Sequence, residues 1–353
     1  MIMSNVKISL VFCCYNVSSY LDGIYSWLRQ QPYENIEVVF VEDCSTDDTK
    51  DKLYSIVNDP RMKIIENKKN MGLSESRNIG LSNVTGEYVG FPDPDDMFAL
   101  NWLEHVEKAI ANNHPKVVIS GMREDYENDN IIEYSKNIIS EFSGYISNNF
   151  IDALLDLEKT MLFGYMNNKF YETKFLLSEK INCKTMALKE DFDFNISVFD
   201  KIDSFYIINE PFYFYKKRRN GNTLTSKYVP EYFSIHVNSI NMLKNTIENK
   251  FKLTDSSIEL LINRFFRYFL SAIERNTDKR SGMTKKEQIE WISYISSELD
   301  YQWYFSNIDS LSGKMKMLRP VFKSKRINIL LLIGHLLRFT KGKLPVFFAK
   351  MKS

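Results

Sequence analysis

Between residues 6 and 120, short apolar runs alternate with stretches of helical periodicity, and this alternation restricts the fold more than any other feature of the chain. Residues 6–12, 37–41, 61–65, 87–91 and 116–120 read as strands, rich in β-branched and aromatic side chains. Helical stretches cover 20–31, with Leu21, Ile24, Tyr25 and Leu28 on one face and Ser18 or Ser19 as cap, then a segment ending at Val57, and 101–112. Such alternation builds βαβ units, so the expected fold is α/β with a mostly parallel sheet. Less regular strand material follows at 130–134 and 138–142, a helix at 151–157, and strands at 204–208 and 211–215. After about Tyr228, residues 231–251, 256–274 and 285–299 carry apolar residues at the helical period, which predicts a separate helical region.

The strand exits are acidic. Residues 87–91 run directly into Pro92-Asp93-Pro94-Asp95-Asp96, where each proline holds the residue before it extended. A stiff chain end then projects carboxylates at the edge of the sheet where open α/β folds bind ligands. Hard oxygen donors of this kind suit Mg²⁺ or Mn²⁺, which in turn bind phosphates. An acidic turn that merely caps the next helix is the plainer alternative. Residues 37–41 end similarly in Glu42-Asp43-Cys44-Ser45-Thr46-Asp47, and Glu190-Asp191 opens another helical stretch, where acids also favour the N-terminus for their own sake. There is no G-x-G-x-x-G after the first strand and no G-x-x-x-x-G-K-[ST], so dinucleotide fingerprints and phosphate loops are disfavoured. Phosphates would have to be held by a metal and by basic side chains such as those of residues 216–225, a loop with a turn at Asn220-Gly221. The four histidines show no ligand spacing, and Cys13, Cys14, Cys44 and Cys183 read as reduced thiols.

Over roughly residues 5–226 the chain resembles family 2 glycosyltransferases of the GT-A fold, bacterial enzymes that build cell-surface polysaccharides and teichoic acids. The resemblance rests on motifs in the family's order: Tyr15-Asn16, Glu42 to Asp47, Asn70-Met71-Gly72-Leu73-Ser74-Glu75-Ser76-Arg77-Asn78, Gly86-Glu87-Tyr88 with Asp93-Pro94-Asp95-Asp96, Asn168-Lys169-Phe170-Tyr171, and Glu190-Asp191-Phe192. The chain departs from the family at Cys13 or Cys14, where proline is common, at Glu42 in place of Asp, and at Cys44 in place of Gly.

That resemblance implies an inverting transfer of a sugar from a nucleotide donor, a UDP-hexose or UDP-N-acetylhexosamine, to a hydroxyl of a glycan, teichoic-acid or lipid-linked acceptor. Asp95 would ligate Mn²⁺ or Mg²⁺, Asp93 would contact the ribose or the metal, and Asp96 would assist through water. Asp43 would accept the uracil N–H with Tyr15 and Asn16 lining the pocket, and Arg77 would approach the nucleotide or diphosphate. Asp191 would be the general base, oriented by Glu190. Arg218 or Arg219, with Thr223 and Thr225, would close over the diphosphate. A sugar nucleotidyltransferase and a non-catalytic, membrane-tethered glycan-binding module are the rival readings.

Net charge is +1, but residues 313–353 hold eleven Lys and Arg and no Asp or Glu, so residues 1–312 are net acidic. Residues 1–228 are expected to form the catalytic domain, 229–312 the helical region, and 313–353 a basic amphipathic tail. Residues 327–337 are too short an apolar run to span a bilayer, which needs about 20 residues. The tail predicts a cytoplasmic protein, peripheral at the inner face of the membrane through anionic lipid, the alternatives being a helix packed on the preceding region or in a homo-oligomer interface. Nothing points to nucleic acid.

Overall fold

The computed structural model describes residues 6–128, 131–218 and 228–343. The chain divides into two compact units, Met1–Gly221 and Asn222–Ser353.

The first unit starts with β1 (Ile8–Cys14), α1 (Leu21–Gln30), β2 (Ile36–Glu42), α2 (Thr49–Ile56), β3 (Met62–Glu66), α3 (Leu73–Asn83) and β4 (Tyr88–Gly90). It continues with β5 (Met97–Phe98), α4 (Trp102–Asn113), β6 (Val117–Asn128), β7 (Ile131–Ile138), β8 (Gly144–Ile146), α5 (Phe150–Lys159), β9 (Lys169–Glu172), α6 (Thr173–Ser178), α7 (Glu190–Phe199) and β10 (Phe205–Arg218). The strand order is β3-β2-β1-β4-β9-β6-β10-β5, with β7 on β6 and β8 on β10. β3, β2, β1 and β4 pair in parallel, as their continuous apolar runs predict, and β2 is buried along its whole length. Gly86 makes the β1–β4 junction possible: a Cβ there would lie 2.4 Å from Ser9 Oγ and 2.7 Å from Ser9 N.

Three local expectations are corrected. No serine caps α1; Ser18–Tyr20 forms a short 3₁₀ turn ahead of it. Residues 204–208 and 211–215 belong to one strand, β10, which shifts register around Pro211, a residue with no N–H for the ladder. Lys216, Lys217 and Arg218 therefore extend that strand instead of forming a loop. Beyond the parallel strands, β9 runs antiparallel to both β4 and β6. Its Phe170 and Tyr171 are fully buried, against Trp102 (4.9 Å between ring centroids) and Phe194 (5.3 Å).

The second unit comprises α8 (Tyr232–Lys250), α9 (Asp255–Asn276), α10 (Lys285–Ser297), α11 (Gln302–Ser306), α12 (Gly313–Lys316), α13 (Arg319–Lys323) and α14 (Ile327–Lys343). Reciprocal capping boxes at Thr254/Ser257 and Thr284/Glu287 start α9 and α10. Aromatic rings fill the space between helices, with Phe265 stacked on Tyr304 at 4.1 Å. α14 lies close along α9: a Cβ on Gly334 would be 2.7 Å from Ile273 Cγ2, and Leu330 and Leu331 are buried. Leu332, Leu336 and Phe339 form an outward stripe, each more than half exposed. Several tail cations are already paired, Arg319 and Lys323 with Asp309 and Arg338 with Asp278. Among the described residues, no helix is long and apolar enough to cross a membrane.

Candidate active site

The ends of β1, β2 and β4 carry three loops that the fold brings side by side. At the end of β2, Glu42 turns its carboxylate back to accept the N–H groups of Cys44 (3.1 Å) and Ser45 (2.7 Å). Cys44 takes a φ of 59°, the left-handed region that favours glycine, so the longer Glu42 holds a turn that a glycine would adopt unaided. Asp43, only 3% exposed, accepts from Asn67 Nδ2 (2.7 Å) and from the N–H groups of Met71 (2.7 Å) and Gly72 (2.8 Å). Three donors leave about one of a carboxylate's four acceptor positions. Asn16 is tied to the same loop, its side-chain oxygen accepting from Thr46 N at 2.8 Å, while Tyr15 stands exposed beside it.

The acid cluster after β4 divides by orientation. Asp96 points inward, 2% exposed, accepting from Tyr213 Oη (2.6 Å) and Lys216 N (2.9 Å). Asp96 thereby ties the loop to β10. Tyr213 Oη also accepts the N–H of Asp93 at 3.1 Å, so one phenol anchors the loop twice. Asp93 accepts from Asn167 Nδ2 at 2.8 Å. Burial raises the Asp93 carboxyl to about 6; Arg77 opposes the rise, and Asp191 and Asp95 add to it. Asp95 is half-buried at the same exit.

Arg77 joins the loops. It projects from α3, is 3% exposed, and places one guanidinium nitrogen 2.5 Å from Asp191 Oδ1 and another 3.7 Å from Asp93 Oδ1. Arg77 sits between two carboxylates, the arrangement a buried cation requires. Asp191, in the first turn of α7, receives a second hydrogen bond from Met166 N at 3.1 Å. Burial and the adjacent Asp191 push the Glu190 carboxyl above its usual range.

Lys169, which the sequence offered only as part of the Asn168-Lys169-Phe170-Tyr171 motif, is 0% exposed. Its ammonium donates to Leu162 O (2.7 Å), Tyr165 O and Asn168 Oδ1 (3.0 Å), and burial pulls its pKa down to about 7 against the pull of Asp191. Asn195 donates to Phe163 O and Tyr165 O as well. Together they hold the turn that delivers Met166 N to Asp191.

Residues 9–179 match the family described as glycosyl transferase family 2. Over that segment the chain is similar to family 2 glycosyltransferases. A glycosyltransferase of Haemophilus influenzae is 38% identical over 107 residues, 30% of this chain and 33% of that protein. The glycosyltransferase GlyA of Streptococcus pneumoniae is 28% identical over 220 residues, 61% of this chain and 31% of its own length. The poly(ribitol-phosphate) β-N-acetylglucosaminyltransferase TarS of Staphylococcus aureus is 24% identical over 328 residues, 91% of this chain and 53% of its own. The chain thus spans a third to about half the length of these relatives. The crystal structure of TarS 1–349 with UDP-GlcNAc superposes with a TM-score of 0.67 at 20% identity, covering 94% of this chain and 91% of that one. The fold is therefore that of TarS, GT-A.

Among the described residues, no three His, Cys, Asp or Glu side chains are grouped to hold a cation by themselves. The donor set nonetheless suits a divalent ion held by one or two carboxylates and completed by substrate phosphates, the usual Mg²⁺ arrangement. Asp95 and Asp93 would be those carboxylates; burial is the main cause of the upward shift of Asp93, and the neighbouring Asp191 and Asp95 add to it. Arg219, Thr223 and Thr225 lie outside the described residues, and Arg218 is placed only as the last residue of β10.

Proposed function

We propose that the chain is an inverting glycosyltransferase that moves N-acetylglucosamine or a related hexose from its UDP donor to a hydroxyl of a polyol-phosphate or glycan polymer of the cell surface. One observation carries this reading: a single buried guanidinium, Arg77, ties the acid loop after β4 to the first turn of α7, so the presumed donor end and the presumed base belong to one site. Asp43 offers its remaining acceptor position to the uracil N–H, beside Tyr15 and Asn16. Asp95, with Asp93, would hold Mn²⁺ or Mg²⁺ against the diphosphate; the ion supplies Lewis-acid stabilisation of the departing charge. Asp191 takes the proton from the acceptor hydroxyl as its oxygen bonds to the anomeric carbon and the bond from that carbon to the diphosphate oxygen breaks, releasing UDP. Arg77 and Met166 N fix the carboxylate so that its other lone pairs face the acceptor. Glu190 would orient Asp191 or the acceptor, and Arg218 or Arg219, with Thr223, would serve the diphosphate.

The exposed Leu332–Leu336–Phe339 stripe supports a further part of the proposal, peripheral contact of α14 with an anionic membrane, which would set the site beside its polymer. The decisive experiment is UDP release from a panel of UDP-sugars, with and without Mn²⁺ and acceptor. Release from UDP-GlcNAc or UDP-hexose is expected; a protein that binds UDP yet turns over no donor is a binding module, and the reading fails.

A further inference from the structure

β6, β7 and β10 extend past the catalytic carboxylates as a three-stranded ribbon whose one face the transfer reaction, as described, leaves unused. Side chains two apart share a face of a strand, and the register sets Tyr215 opposite Glu124 opposite Lys136, then Lys217 opposite Tyr126 opposite Tyr134. The rings follow one another outward. Tyr165 lies 6.0 Å from Tyr215, Lys217 Nζ sits 5.9 Å from the Tyr215 ring and 5.2 Å from that of Tyr126, and Tyr126 lies 5.7 Å from Tyr134. The inner end is at the site itself. The Tyr215 phenol is pushed up to about 12, first by burial and then by Asp96, Asp93 and Asp95, and Asp191 acts on Tyr165 in the same sense. The outer end is open, with Tyr126 38% and Tyr134 58% exposed.

We propose that the row Tyr165–Tyr215–Tyr126–Tyr134, flanked by Lys217 and Lys136, is the track along which the acceptor polymer lies, its carbon faces on the rings and its phosphodiesters beside the lysines. The inference rests on the glycosyltransferase reading and names the substrate class of that site. Continuity with the carboxylates selects the acceptor as occupant, because the acceptor is the substrate that must leave the site as a long chain. Aromatic side chains with a polar tip suit a ligand that is apolar on one face and hydrated on the other. Glu124 takes up the charge of Lys217, so Lys136, at the exposed edge, is the stronger anchor for an anionic linkage.

The test compares the wild-type protein with Tyr126→Ala/Tyr134→Ala, Tyr134→Ser and Lys136→Gln. Isothermal titration with a ribitol-phosphate oligomer and with a neutral N-acetylglucosamine oligomer reads the track without any donor. UDP release from UDP-GlcNAc in water reads the donor end alone. We expect the double variant to weaken binding of the ribitol-phosphate oligomer, and to raise its acceptor KM, about tenfold or more, with donor KM within twofold. Tyr134→Ser reproduces part of the loss should the double variant misfold, and Lys136→Gln weakens the phosphate oligomer alone, less so at high salt. Unchanged oligomer affinity in the tyrosine variants overturns the track, as does a wild-type protein that binds neither oligomer. Preference for the neutral oligomer overturns the phosphate assignment. Failure of UDP release with intact oligomer binding removes the donor reading and leaves the track standing.

Discussion

Arg77 illustrates what a single residue decides. Its guanidinium is buried against Asp191 and Asp93, and removing either partner would leave charge in the interior. Asp191→Asn keeps the shape of the first turn of α7 but not the basicity. Turnover is expected to fall about 10²–10⁴-fold, the usual contribution of a positioned base, with UDP-sugar affinity retained in a binding assay. Unchanged turnover would remove Asp191 from the mechanism. Asp93 yields a pH prediction with two signs. Its folded pKa of about 6 lies above the ordinary 3.8, so the folded protein keeps a proton that the unfolded chain has lost. The group therefore penalises folding fully above about pH 6, and the penalty fades as pH falls toward the ordinary value. Activity runs the other way, because only the carboxylate can serve a cation. At limiting Mn²⁺, donor affinity should decline below about pH 6, and Asp93→Asn should abolish both the limb and the stability trend.

At the scale of elements, β9 and the turn preceding it set the geometry around Asp191. β9 is four residues long and begins with a lysine, yet it occupies the centre of the sheet because Phe170 and Tyr171 fill the space between α4 and α7. Lys169 pays for its burial by giving each of its three N–H donors an acceptor. Lys169→Met leaves those acceptors unsatisfied, at a cost of about 1–3 kcal/mol in urea unfolding, and loosens the turn that carries Met166 N. Donor turnover should drop by more than donor affinity, whereas a purely structural lysine would leave kcat untouched in the folded fraction. Tyr213 performs the matching service from β10, holding Asp93 and Asp96 in one loop.

For the whole molecule, the tail is where charge counting and packing part company. Cations that suggested a lipid surface are partly taken by Asp309 and Asp278, and the inner face of α14 belongs to the core of the second unit. Deleting residues 313–353 would uncover α9 and destabilise that unit, so truncation is a poor test of membrane contact. Replacing Leu332, Leu336 and Phe339 together with Asp changes only the outward stripe. Co-sedimentation with anionic vesicles should be lost in that variant and the melting temperature kept. Equal sedimentation of both proteins would refute the lipid contact, and loss of self-association instead would assign the stripe to a second copy.

The parallel strands and their acidic exits were legible from the residues alone, because a strand covered on both faces must be continuously apolar and must stop where carboxylates begin. The motifs of the GT-A domain were legible for the same reason: they sit at those exits. Which carboxylates share a cation was not legible, since Arg77 and Asp191 are 114 residues apart and local periodicity carries no record of such a pairing. The inward turn of Asp96, the burial of Lys169 and the continuation of β10 through Lys216 and Lys217 also depended on partners supplied by distant strands. The sequence by itself determined the order of strands, helices and acid clusters along the chain; only the tertiary structure decided which charges face one another, because that depends on burial and on distances that chain position does not set.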